Sequence, residues 1–193
     1  MTRLIELIIL AQETERKTTM SNSLKELFAN TQSALAAHPE HAAATFSVES
    51  SGHGGMYRKV KVRNFTVEVD EPPALGGTDL APNPVEYALA SLATCQEITY
   101  WLHAAALGIP LTDVSVKLEG TIDLRGFFAA AAAVRPGFRD VRGTVQFDSP
   151  AKAEDLRRLK KVVDAHCPVL DLFRNPTPVT LELFEPVEAA RAA

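Results

Sequence analysis

From Pro84 to Leu107 runs a segment that is apolar most of the way round a helix and bounded by explicit start and stop signals. Asn83 is an N-cap residue, Pro84 suits the first helical position, and Glu86 stands where a capping box needs its carboxylate. Gly108 then serves as C-cap, with Pro110 just beyond. A helix greasy on most of its faces is a buried helix rather than a surface one. Its small residues Ala88, Ala90, Ser91 and Ala93 let another helix or a symmetry mate approach closely. Burying so apolar a helix within a modest domain favours a homodimer. Cys95 sits in the middle of it.

The remainder of the chain reads as strands and two further helices. Ser23 with Glu26 three residues on forms a capping-box pattern opening a short amphipathic helix to about Ala37. Residues 1–19 precede it as an upstream extension outside the core, and Met20 offers a second start, leaving residues 20–193 as a single domain. Alternating segments at 44–50, 56–62 and 65–69 predict an antiparallel meander, with turns at residues 51–55 and 63–64. The Pro- and Gly-rich stretch 70–84 is a loop. Beyond the central helix, residues 114–123 and 138–147 alternate as strands joined by an irregular connection. Ser149-Pro150 caps a helix over 151–165, Cys167-Pro168 opens a short helix ending near Asn175-Pro176, and residues 179–184 read as a last strand. The order βββ-α-ββ-α-β is α+β, with antiparallel or mixed sheet and helices on one side.

Composition excludes several classes. With 193 residues, 46% hydrophobic and 23% charged, the chain can bury a substantial core. A net charge of −4 disfavours nucleic acid and anionic membrane partners, which want a basic face. The apolar run Leu4–Leu10 is far short of a membrane span, and a cytoplasmic protein is the default expectation. No metal site is expected, because the five histidines lack His-x-x-x-His spacing and there is no Cys-x-x-Cys. No phosphate-cradling glycine loop is present, and no cofactor is implied.

Chemistry is left to two cysteines, too few for a disulfide scaffold. Read from its own surroundings, Cys95 is a packing cysteine, since burial raises a thiol's pKa and makes it inert. Cys167 has the better intrinsic case, because Pro168 at the first helical position makes it an N-cap residue near free amides. A cysteine hydrolase or transferase is a further option and would require His166 or His103 in contact with Cys95.

The run Asp70-Glu71-Pro72, Gly76-Gly77-Thr78-Asp79, Pro82-Asn83-Pro84-Val85-Glu86 and Ala90-Ser91-Leu92-Ala93-Thr94-Cys95 resembles the OsmC-like family, as do Leu124-Arg125-Gly126-Phe127, Arg135-Pro136-Gly137-Phe138 and Cys167-Pro168-Val169. The resemblance covers about residues 44–185 and points to the broad OsmC-like branch. It implies an intertwined α+β homodimer with active sites at the subunit interface. It also implies a thiol-dependent peroxide reductase. Cys95 would attack a hydroperoxide, organic by preference, to give a sulfenic acid, and Cys167 would resolve it as a disulfide that an external dithiol reduces. The peroxidase branches use an arginine shortly before Gly-Gly and a glutamate after the helix-opening proline. Here those positions hold Pro73 and Val85, so Glu86 and Arg63 become the support candidates, with Arg58 as a second cation. The competing expectation is a non-catalytic small-molecule-binding or interaction dimer that keeps the pocket without the activating pair.

Overall fold

The computed structural model describes residues 2–52 and 54–183, with side-chain surroundings from residue 19 onward. In chain order the elements are α1 (Thr2–Ala37), β1 (Glu49–Ser51), β2 (Arg58–Val62), β3 (Phe65–Val69), α2 (Pro84–Leu107), β4 (Asp113–Ile122), α3 (Leu124–Phe127), β5 (Phe138–Asp148), α4 (Ala153–His166) and α5 (Pro168–Arg174). The fold is α+β, as expected. Strands β1–β2–β3 form one antiparallel meander, and β4–β5 form a separate long antiparallel hairpin.

The central helix is delimited as its end residues dictate. The Asn83 side chain accepts from the Glu86 amide at 2.9 Å, while the Glu86 carboxylate accepts from the Asn83 amide at 2.8 Å. Gly108 closes the helix at φ 66, a left-handed conformation that costs glycine nothing. The core is built on α2, where Tyr100 and Ala104 are 0% and 1% exposed, and on α4, where Leu159 and Val163 are each 0% exposed. Val114 and Ile109 complete it from β4 and the loop before it. In β4 and β5 the register Val116↔Val145 and Leu118↔Gly143 points one face of the hairpin toward these helices.

Four expectations are corrected. The capping-box pattern at Ser23 does not open a helix, because α1 runs through it from Thr2 to Ala37. An N-cap residue is silent when helix formers precede it without a break. Half-buried Ser21, Leu24 and Phe28 make one stripe of this helix, and Phe28 meets His103 of α2 edge-on at 5.3 Å. The first strand shrinks from 44–50 to Glu49–Ser51, with Phe46 91% exposed. The Ser149 hydroxyl donates to the Pro110 carbonyl and accepts from the Ala151 amide in a turn before the helix, which starts only after Lys152. Finally, no strand forms over 179–183, where Val179, Leu181 and Leu183 are 77%, 92% and 83% exposed; Phe184 lies outside the described residues. An alternating segment becomes a strand only when it pairs with another, and residues 179–183 pair with none of the described strands.

The loop over residues 70–80 hangs on one carboxylate. Asp70, 1% exposed, accepts from the amides of Glu71, Thr78 and Leu80 and from the Thr78 hydroxyl at 2.6 Å. Gly77 lets the loop close, since a Cβ there would stand 1.8 Å from the Glu71 carbonyl oxygen. This loop delivers the chain to the start of α2.

Candidate active site

Packing of α4 on α2 determines where the second cysteine falls. Leu159 and Val163 lie against Tyr100 and Ala104, and the Cys167 amide donates to the Val163 carbonyl at 2.9 Å, extending α4 by one hydrogen bond. Cys167 then turns into extended conformation (φ −79, ψ 112) and becomes the N-cap of α5, its carbonyl accepting from Asp171 at 3.1 Å. This double role points its side chain inward, and Cys167 is only 2% exposed. Its sulfur lies 3.4 Å from that of Cys95, and both are free thiols. Seventy-two residues of chain separate them.

The electrostatics reverse the local expectation. The first turn of α5 serves Cys95 rather than Cys167: the Val169 amide bonds the Cys95 sulfur, while Cys167 makes no side-chain cap. Burial nonetheless dominates and pushes the Cys95 thiol above its ordinary range. The Val169 amide opposes this, the neighbouring Cys167 sulfur adds to it, and Thr99 lowers it slightly. The Thr99 hydroxyl also donates to the Cys95 carbonyl at 2.6 Å.

The support residues named from sequence are not brought to the sulfurs within this chain. Glu86 is exposed and holds the α2 capping box. Arg63 is exposed at the β2–β3 turn with φ 57, its guanidinium over the Phe65 ring at 5.2 Å. Arg58 is folded back onto the carbonyls of Gly55 and Tyr57. The histidines also find other partners. His166 Nδ1 lies 2.7 Å from the Val162 carbonyl, and the His103 and His166 rings stack tilted at 5.3 Å. Burial, and then His166, hold His103 below its usual range. Neither supplies the base a cysteine hydrolase needs. One exposed triplet, His38, Glu40 and His41, brings ligand atoms within 4.8 Å of one another, a grouping that helical spacing rules do not reveal.

Sequence reading missed a cavity lined in part by the helix that carries Cys95. A cavity of about 690 Å³ opens between the β4–β5 hairpin, α2, α4 and α5, within the usual size for a small-ligand site. Its walls include Leu92, Gln96, Leu118, Leu170 and Phe173, with Arg135 at the same site. The Arg135-Pro136-Gly137-Phe138 turn, which required no chemistry as sequence, therefore lines this cavity. Two buried polar groups nearby have no hydrogen-bond partner among the described residues: the Gln96 amide nitrogen and the Tyr100 hydroxyl. No sequence signal marks either, since each sits on a helix that is buried anyway.

The sequence profile of the OsmC-like protein family matches residues 76–182, which takes in the Gly-Gly loop, the cysteine helix, the long hairpin and Cys167. The chain belongs to the OsmC-like family. Solved structures share this OsmC-like fold at low identity. An OsmC-like protein from Mycoplasma pneumoniae superposes with a TM-score of 0.60 at 16% identity, over 69% of this chain and 89% of that one. An organic hydroperoxide resistance protein OsmC from Legionella pneumophila gives 0.53 at 23% identity, over 68% and 92%. An organic hydroperoxide resistance protein from Elizabethkingia anophelis, with thiocyanate bound, gives 0.55 at 20%, over 69% and 91%. No curated protein sequence matches significantly. The chain before residue 76, α1 included, lies outside the family profile. No described helix is long and apolar enough to cross a membrane.

Proposed function

We propose that this OsmC-like protein is a thiol-dependent peroxide reductase acting on organic hydroperoxides. The observation that carries the reading is the 3.4 Å approach of a half-buried and a buried sulfur 72 residues apart in the chain. The Cys95 thiolate attacks the terminal oxygen of the hydroperoxide. The O–O bond breaks, a sulfenic acid forms, and the proton lost by the thiol ends on the alcohol product. The Cys167 thiol then attacks the sulfenic sulfur, water leaves, and the disulfide is returned to two thiols by an external dithiol. Reaching a covalent sulfur–sulfur bond of about 2.05 Å from this starting point asks for only a small side-chain adjustment. Fold relatives named for organic hydroperoxide resistance support the same chemistry.

The working unit is a homodimer. Among the described residues the β1–β3 meander packs broadly against no helix or other strand, and a lone three-stranded sheet needs such cover. Ile98 in the middle of α2 is 68% exposed, and the alternating apolar segment 179–183 pairs with no described strand. A second copy of the chain would cover all three, and could bring a cation to Cys95.

Treating the reduced protein with one equivalent of cumene hydroperoxide is expected to give a Cys95–Cys167 disulfide by mass spectrometry. Cys95→Ser is expected to abolish the reaction, and Cys167→Ser to leave Cys95 open to over-oxidation. Two free thiols after treatment would end the proposal.

A second reading, a non-catalytic binding dimer, is favoured by the raised Cys95 thiol and by the commitment of Glu86 to the helix cap. It expects inert thiols and a ligand in the cavity. Rapid alkylation of Cys95 well below pH 7 excludes it.

A further inference from the structure

Where α1 ends, a single 3₁₀ turn over Pro39–His41 brings His38, Glu40 and His41 together. Backbone hydrogen bonds fix this turn. The His38 amide still donates to the Ala34 carbonyl of α1 at 2.9 Å, the His41 amide to His38 at 3.0 Å, and the Ala42 amide to Pro39 at 3.1 Å. With three residues per turn, side chains at i and i+3 eclipse, whereas an α-helix sets them about 60° apart. The His38 and His41 rings accordingly stack at 5.6 Å, with 27° between their planes. Helical His-x-x-x-His spacing is therefore not needed to bring two imidazoles together here.

Glu40 stands between the two rings. Its Oε1 lies 3.3 Å from His38 Nδ1 and 4.0 Å from His41 Nε2. The second separation is too long for a hydrogen bond. No lysine or arginine pairs with Glu40 among the described residues. One atom from each of the three side chains falls within 4.8 Å of the other two, and no other three His, Cys, Asp or Glu side chains converge in this way among the described residues. Around an ion bound at about 2.0–2.2 Å, tetrahedral donors stand about 3.4 Å apart. Small rotations of three exposed side chains close the difference.

We propose that His38, Glu40 and His41 bind one divalent ion of the zinc class, with water completing the coordination. Two imidazoles and a carboxylate suit zinc, copper and nickel, whereas magnesium and calcium want oxygen donors. The carboxylate neutralises part of the ion's charge, and the hydrogen-bonded turn holds its three ligands on adjacent backbone. An ion held there pins the last turn of α1 to the segment that leads into β1, and stabilises the folded chain by mass action. The site shares no residue with the thiol pair and does not depend on the peroxidase reading.

Cobalt(II) is the probe, titrated into the full-length reduced protein. Thiolate ligation adds intense near-ultraviolet charge-transfer absorption, while nitrogen and oxygen ligation gives weak visible bands alone, so the spectrum separates this site from the cysteines. One equivalent is expected to bind without thiolate absorption, to be displaced by zinc, and to resist excess magnesium. His38→Ala and His41→Ala are each expected to lose about 10-fold or more in affinity, and Cys95→Ser to lose none. The thermal melt of each variant without metal, expected to match the parent, shows that the fold is kept. Undiminished affinity in either histidine variant overturns the proposal. Thiolate absorption from the bound ion, or the absence of saturable binding to the parent, overturns it as well, and both leave the peroxidase reading standing.

Discussion

The sulfurs of Cys95 and Cys167 lie 3.4 Å apart because Cys167 both ends one helix and caps the next. The kink places Cys167 under α2 and turns the first amide of α5 with a free hydrogen, that of Val169, toward the other sulfur. One backbone turn therefore assembles the thiol pair and partly offsets the burial that would silence it.

The Cys95 thiol is raised first by burial, with Cys167 adding to the rise. Cys95 alkylation should therefore climb with pH through and beyond the ordinary thiol range near 8.5. Replacing Cys167 with Ala should move that profile to lower pH. Rate profiles of iodoacetamide labelling check both. A Cys95 profile centred below that of a free cysteine sinks this account for the isolated chain.

Asp70 sets an acid limit. Its hydrogen bond from the Thr78 hydroxyl, with the backbone amides of Glu71, Leu80 and Thr78, lowers its pKa to about 2 from 3.8. The folded carboxyl holds its charge more tightly than the unfolded one, so this contribution is complete above the unfolded value and is lost as pH falls through about 2. Thermal melts between pH 5 and 2 should show the loss, and Asp70→Asn should flatten that part of the curve while lowering the melting temperature at neutral pH. An unchanged acid slope in the variant contradicts it.

Gly77→Ala should be far more damaging than Gly54→Ala. Both glycines are in loops, but a Cβ at Gly77 collides with the Glu71 backbone, whereas nothing lies within 4 Å at Gly54. Backbone cannot step aside as a flexible side chain can. Gly54, with φ 73, should cost only about 1 kcal/mol for the left-handed conformation. Denaturant titration of the two variants separates strain from collision.

Tyr100→Phe removes a wholly buried hydroxyl that has no hydrogen-bond partner among the described residues. Its phenol is raised by burial first, with Asp164 and Cys167 adding, so it stays protonated throughout the working range. The variant should be as stable as the parent or more so, by about 1 kcal/mol. The ring's edge-on contact with Phe147 at 5.0 Å is kept. A clear loss of stability would show that the hydroxyl has a partner in the assembled protein.

Where the physics is local and no neighbouring signal competes, the amino-acid sequence by itself determined the structure. The limits of α2 follow from Asn83, Glu86 and Gly108, whose hydrogen bonds and backbone angles need only their own neighbours. Strands β3, β4 and β5 follow from alternation, and the family from the ordered motifs around the two cysteines. Signals that depend on a distant partner failed. Residues 179–183 pair with no described strand; the Ser23 cap failed for a local reason instead, helix formers directly upstream of it. Only the tertiary structure decided which cysteine receives the α5 amide, because that depends on how α4 crosses α2. It likewise decided that Glu86 is held at its cap in this chain, and that Gln96 stands in the wall of a cavity. Side chains from α2, α5 and the β4–β5 hairpin meet there across long stretches of chain, and no local pattern records where they converge.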